Sequence, residues 1–194
     1  MNSRRLIADR EAATIVEFAI VVPLFLMLLF GIMDLGQMVY GKSVLTGAVH
    51  RAARDSSLET RNTNEADAMV LDAIRPVLPG VEITTSRTSY YDFADVGRAE
   101  KWNDRNANAL CDAGETYTDE NRNGQWDQDI GQRNSAGSAN DVVVYKVTAK
   151  FEPLFEVPLL PRLWAERTLT ATAVTKNQPF GNQNGYGATA GSCP

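Results

Sequence analysis

Two stretches of oxygen-bearing side chains stand at a spacing that suits a hard cation. Asp104, Asn106, Asn108, Asp112 and Glu115 hold the first, third, fifth, ninth and twelfth places of one stretch, and Asp119, Asn121, Asn123 and Asp127 hold the matching places of a second. In a calcium loop such places offer carboxylate and amide oxygens at about 2.3–2.6 Å, the seventh offers a backbone carbonyl and the sixth turns sharply. The seventh place is Leu110 in one loop and Gln125 in the other. The first loop has Ala109 at the turn; the second has Gly124 there but Ile130 at the twelfth place, which leaves Asp129, one position early, as the substitute carboxylate. Only Thr116, Tyr117 and Thr118 separate the loops, so no helices flank them as in an EF-hand pair. The duplication predicts calcium as a cofactor. The plainer alternative is a pair of Asx turns, because Asp, Asn and Gly together are ordinary turn chemistry.

Cys111 and Trp126 share a place in the repeat. Packing between the loops accounts for Cys111; a Cys111–Cys193 bridge is the other reading, which an oxidising compartment permits. Two cysteines and the lone His50 are too few for a structural zinc site. No nucleophile with a base, phosphate loop or catalytic metal set accompanies them, so an enzyme is not expected.

Charge sharpens this picture. The net charge of −5 is carried by residues 100–130, which hold eight acids and three bases. The remainder of the chain is neutral, which argues against nucleic acid as a partner, since phosphate binding needs clustered Lys and Arg.

The elements that must position these loops begin with an anchor. Residues 15–33, IVEFAIVVPLFLMLLFGIM, carry one charge, Glu17. A helix of this length spans roughly 28 Å, close to the roughly 30 Å of a bilayer core. The stretch is longer than the apolar core of about 7–15 residues in a secretory signal, which predicts a retained single-pass anchor. Arg4, Arg5 and Arg10 precede it and only Lys42 follows closely, placing residues 1–14 as a cytoplasmic leader. Glu17 either has a partner within the membrane or reaches the headgroups from the start of the span.

The helix should continue to about Leu58, with Leu35, Met38, Val39, Leu45, Val49 and Ala52 near one face. Glycines 31, 36, 41 and 47 suggest close helix approach or tolerated weak points. A second helix follows, capped by Asn62 or Thr63, ended by Pro76 and Pro79-Gly80, and buried through Met69, Val70, Ile74 and Leu78. Residues 81–93, 140–153 and 166–179 read as strands. The apolar loop around Phe155, Leu159, Leu160 and Trp164 serves core packing or faces a lipid or a partner. The Gly/Asn/Ser-rich residues 180–194 read as a flexible tail. The fold class is α+β: a long N-terminal transmembrane helix continues into a small antiparallel sheet domain (34–179), with a tandem calcium-loop-like insertion at 98–135.

The segment ATIVEFAIVVPLFLMLLFGIMDLGQMVYGKSVLTGAVHRAAR resembles the N-terminal module of TadE-like pseudopilins, minor components of the Tad (Flp, tight adherence) pilus machinery. The resemblance implies a structural protein of the bacterial inner membrane with a periplasmic head, pilin or pseudopilin subunits as partners, and a role in adhesion. It also implies cleavage by prepilin peptidase between Ala12 and Ala13, with Glu17 neutralising the amino group of a neighbouring subunit during assembly. The competing function is an anchored envelope module that binds a ligand through calcium and never enters a filament.

Overall fold

The computed structural model describes residues 10–58, 62–154 and 166–194. The leader residues 1–9 and the apolar positions Phe155, Leu159, Leu160 and Trp164 lie outside them. Helix α1 runs Arg10–Asp55 with Pro23 inside it, so the anchor and the first element of the head are one rod. Among the described residues it is the one helix long and apolar enough to cross a membrane.

Helix α2 spans Thr63–Ile74. Asn62 caps it: its side chain accepts from the backbone N–H of Asn64 and Glu65 and donates to Glu65 Oε1 at 2.8 Å, which satisfies donors that have no partner within the helix. Val70, Ile74 and Leu78 are buried as expected, joined by Ala66. Met69 is not; at 37 % exposure it points out of the core.

A four-stranded antiparallel sheet has the order β3 (Gln132–Arg133), β1 (Glu82–Tyr90), β4 (Val142–Phe151), β5 (Arg167–Lys176). β1 and β4 pair from Glu82↔Lys150 to Tyr90↔Val142, and β4 and β5 from Val142↔Lys176 to Phe151↔Arg167. Alternate residues face the helices: Tyr145, Val147 and Ala149 of β4 and Leu169, Ala171 and Ala173 of β5 form one core with Leu45, Val49, Ala52, Val70, Ile74 and Leu78. This is the period-two pattern of a sheet with one covered face.

Only part of the expected face of α1 is used. Leu45, Val49 and Ala52 are fully buried and Met38 packs against the core, but Leu35 (56 %) and Val39 (66 %) are exposed. The head docks instead through Asp34, whose carboxylate meets Arg167 Nη2 at 2.6 Å, and through Gly41, where a Cβ would stand 3.2 Å from Leu78. Gly31, Gly36 and Gly47 have open space around them, so Gly41 alone of the four serves a close approach.

The expected flexible tail is a correction. β6 (Thr189–Ser192) pairs antiparallel with β2 (Thr116–Asp119), and Cys193 is joined to Cys111. Gly191 lies flat on the Tyr117 ring, leaving no room for a side chain, and Gly187 donates its N–H to the Glu120 carbonyl at 2.7 Å. A backbone thus paired and stapled is held in place despite its loop-like composition.

Candidate functional site

The insertion between β1 and β4 holds both oxygen-rich loops, and their hydrogen bonds repeat place by place. Asp104 accepts the N–H of Asn108 (3.2 Å) and Ala109 (2.9 Å); Asp119 accepts those of Asn123 (3.1 Å) and Gly124 (2.9 Å). Asn106 and Asn108 form Asx turns to Asn108 and Leu110, as Asn121 and Asn123 do to Asn123 and Gln125. Asp112 accepts the side-chain amides of Asn106 (3.0 Å) and Asn108 (2.6 Å), and Asp127 accepts those of Asn121 (2.8 Å) and Asn123. These amides hold the Asp112 carboxyl below the usual carboxylate range.

The backbone repeats as well. The fourth and sixth places are left-handed in both loops: Ala107 (φ 57°) and Ala109 (φ 62°), then Arg122 (φ 65°) and Gly124 (φ 78°). Three of these four are not glycine, and each carries the steric cost of that region.

The closing carboxylates are exchanged between the loops. Glu115 accepts the N–H of Arg105 (2.8 Å) and Asp112 (3.2 Å) and so ties the ends of the first loop, as its twelfth place suggests. The second loop is tied by Glu100, which accepts from Glu120 (2.7 Å), Asn121 (3.2 Å) and Asp127 (3.1 Å). Asp129, expected in that role, turns away: it accepts from Tyr90 Oη (2.9 Å) and from the Gly131 N–H (3.1 Å). The reason is Ile130, which is buried with Tyr90 and Val142 and draws the chain out of the loop one residue after Asp129. Glu100 was not singled out from the sequence. The signal was available, because Glu100 precedes Asp104 by the same four positions by which Glu115 precedes Asp119.

Glu100 is fully buried. Burial raises its pKa, with Asp119 adding to the rise, and the three backbone donors offset only part of it. Its neighbour Glu120 is also buried, but Arg98 (2.7 Å) and Lys101 (3.1 Å) overcome the burial and hold its pKa low. Arg98 also meets Asp95 at 2.9 Å, which links the second loop to the body of the head.

The segments entering the two loops lie antiparallel. Asn103 donates to the Thr116 carbonyl and Thr118 to the Lys101 carbonyl, both at 2.8 Å, and Trp102 bridges to Tyr117. Trp102 packs edge-on against Trp126 with ring centres 5.7 Å apart. Cys111, the counterpart of Trp126, is taken by the disulfide to Cys193, whose N–H also donates to the Glu115 carbonyl at 3.0 Å. Of the two readings of Cys111, the structure has the bridge.

All the predicted carboxylate and Asn side chains except Asp129 therefore gather in the two loops. Their carboxylates and Asn oxygens are occupied by backbone N–H groups and amides. Among the described residues no three His, Cys, Asp or Glu side chains converge so as to hold a metal ion.

The residues expected to serve processing and assembly lie at the other end of the molecule. Ala12, Ala13 and Glu17 fall in the first two turns of α1, and Ala13 and Glu17 are exposed on its bare apolar section. Residues 12–54 match the family model described as TadE-like protein. The match covers the anchor helix and stops before α2, and it bears out the resemblance carried by VEFA and FGIMDLGQMVYGK. The TadE-like segment associates the chain with Tad pilus systems and with a membrane, which its long apolar helix suits. No curated protein and no solved structure matches the chain.

Proposed function

We infer that the protein is a membrane-anchored, minor pseudopilin-like component of a Tad/Flp pilus assembly system, with its head in the periplasm and Glu17 as the assembly residue. The observation that carries this reading is the confinement of the TadE-like match to α1, the helix whose first half is bare and whose second half is the spine of the head. A bare apolar stretch whose single charge over residues 15–33 is Glu17 is suited to packing among similar helices, where a carboxylate finds a cationic partner that lipid cannot offer. In this reading the head serves as a shaped platform, stapled by Cys111–Cys193. Calcium stabilisation of the tandem loops belongs to the same reading and rests on the spacing of their oxygen donors.

Replacement of Glu17 by Ala tests it. Insertion should be retained, because removing a charge lowers the cost of entering lipid. Co-purification with pilin and pseudopilin subunits of the same cell should be lost. Co-purification at wild-type yield overturns the assembly role, and a wild-type chain that stays in the inner membrane and never accompanies pilus subunits is an anchored binding module instead. If prepilin peptidase acts between Ala12 and Ala13, the mature mass falls by the first twelve residues.

A further inference from the structure

The head covers one side of α1 and leaves the opposite side bare, and the two sides change from apolar to polar at different heights. On the head side the change comes at Asp34, buried in its ion pair with Arg167. On the opposite side the exposed residues continue as Val39 and Tyr40, both above 60 % exposed, and turn polar only at Ser43, with His50 further along the same face. A helix standing upright in a bilayer meets water at one height all round, so an oblique boundary on the helix implies an oblique helix.

We propose that α1 crosses the membrane at a pronounced tilt, with Val39 and Tyr40 immersed in lipid beneath the leaning rod and the head carried on its upper side. The proposal rests on the anchor reading and specifies which surface the lipid covers. Lipid is chosen as the occupant because this face continues the bare apolar run without interruption, at the spacing Phe25, Ile32, Val39. The offset between Asp34 and Val39 is about 7.5 Å along the axis, across a helix about 10–12 Å wide, which sets the lean at roughly 35°. Transmembrane helices range up to about 40°. The length agrees: the bare face from Phe18 to Tyr40 is about 34 Å long and projects at that lean to about 28 Å, close to the roughly 30 Å hydrocarbon thickness. Tyr40 then stands at the headgroup level, where its apolar ring and polar tip are both satisfied.

Three positions on this one face test the geometry in the full chain: Phe25→Cys, Val39→Cys and His50→Cys, each labelled with an environment-sensitive fluorophore. The native Cys111 and Cys193 are joined to each other and do not compete for the label. Each protein is reconstituted at high dilution in phosphatidylcholine vesicles containing nitroxide-labelled lipid. The expected result is loss of emission at Phe25 and Val39 and none at His50. Loss at Phe25 alone, with Val39 behaving as His50, overturns the lean while leaving the anchor standing. No loss at Phe25 overturns the anchor itself. A blue-shifted label at Val39 that appears only at high protein density, without quenching by lipid, makes this face a contact between chains and overturns the proposal.

Discussion

Glu100 closes the loop that begins at Asp119, and Glu115 closes the loop that begins at Asp104. Each stands four residues ahead of its own repeat and serves the other. The second loop cannot complete its turn without the segment that leads into the first, which joins the two. Replacing Glu100 by Ala leaves one buried and two half-buried N–H groups without this acceptor and should cost about 2–3 kcal/mol, the scale of losing hydrogen bonds to a charged acceptor. Amide exchange distinguishes the loops. Asn121 and Asp127 should lose protection while Arg105 and Asp112, held by Glu115, keep it; equal loss in both pairs refutes the exchange.

Asp67 on α2 anchors the sheet to the helices. It accepts from Thr85 Oγ1 (2.9 Å), Arg87 Nη1 (3.2 Å) and Tyr145 Oη. Burial raises its pKa, but these bonds, led by Arg87, bring it below the ordinary 3.8, while Tyr145 is pushed up by burial and by the same bond. A depressed folded pKa contributes stability that is complete above the unfolded value and is lost as pH falls through the folded one. Asp67→Asn should cost about 2 kcal/mol at neutral pH, and urea melts should show a shallower loss of stability below pH 4 than the native chain. Glu100 acts with the opposite sign: its raised pKa removes stability as pH climbs above the ordinary 4.5. An unchanged acid limb in Asp67→Asn would falsify the assignment to Asp67.

Ala109 sits in the left-handed region at the place where the sister loop has Gly124. The steric cost of that conformation for an L-residue is about 1 kcal/mol, and glycine's greater freedom when unfolded returns part of it. Ala109→Gly should therefore stabilise the head by about 0.5 kcal/mol, and Gly124→Ala should destabilise it by more. Thermal melts of the pair are the check.

Calcium should raise the melting temperature of the full chain relative to chelator, by binding the folded form alone. Asp104→Asn with Asp119→Asn keeps one acceptor oxygen in each turn and removes the charge a cation needs, so the double variant should melt alike in both conditions. Identical melting of the native chain with and without calcium reduces the loops to Asx turns.

How far the sequence could be read depended on whether each signal was local. The strands at 82–90, 142–151 and 167–176, the Asn62 cap and the helix ending before Pro76 follow from alternation, capping chemistry and missing N–H groups close by in the chain. The family segment was legible from VEFA onward. The faces of α1 were harder. Periodicity groups Leu35 and Val39 with Leu45, yet which side of a long apolar rod the head covers is decided by Asp34 finding Arg167, a residue far along the chain. The loops were visible as a duplication and Glu115 as the closing carboxylate of the first, but the closure of the second by Glu100 was not, because Glu100 stands ahead of the other loop rather than at the twelfth place of its own. The tail misled through its composition: Gly191 is there so that a strand can lie on Tyr117.

The pairing of β2 with β6 also sets an order of events in the making of the protein. Among the described residues β6 is the one named strand paired with β2, and it follows every other strand in chain order, next to the cysteine that reaches back 82 positions to Cys111. Chain growth has therefore passed β4 and β5 before the insertion can acquire its last strand. The covalent tie comes later still and waits on an oxidising surrounding. A head without residues 189–194 would lose strand and tie together, so a reporter or affinity handle that replaces or crowds this segment disturbs the loops some seventy positions upstream.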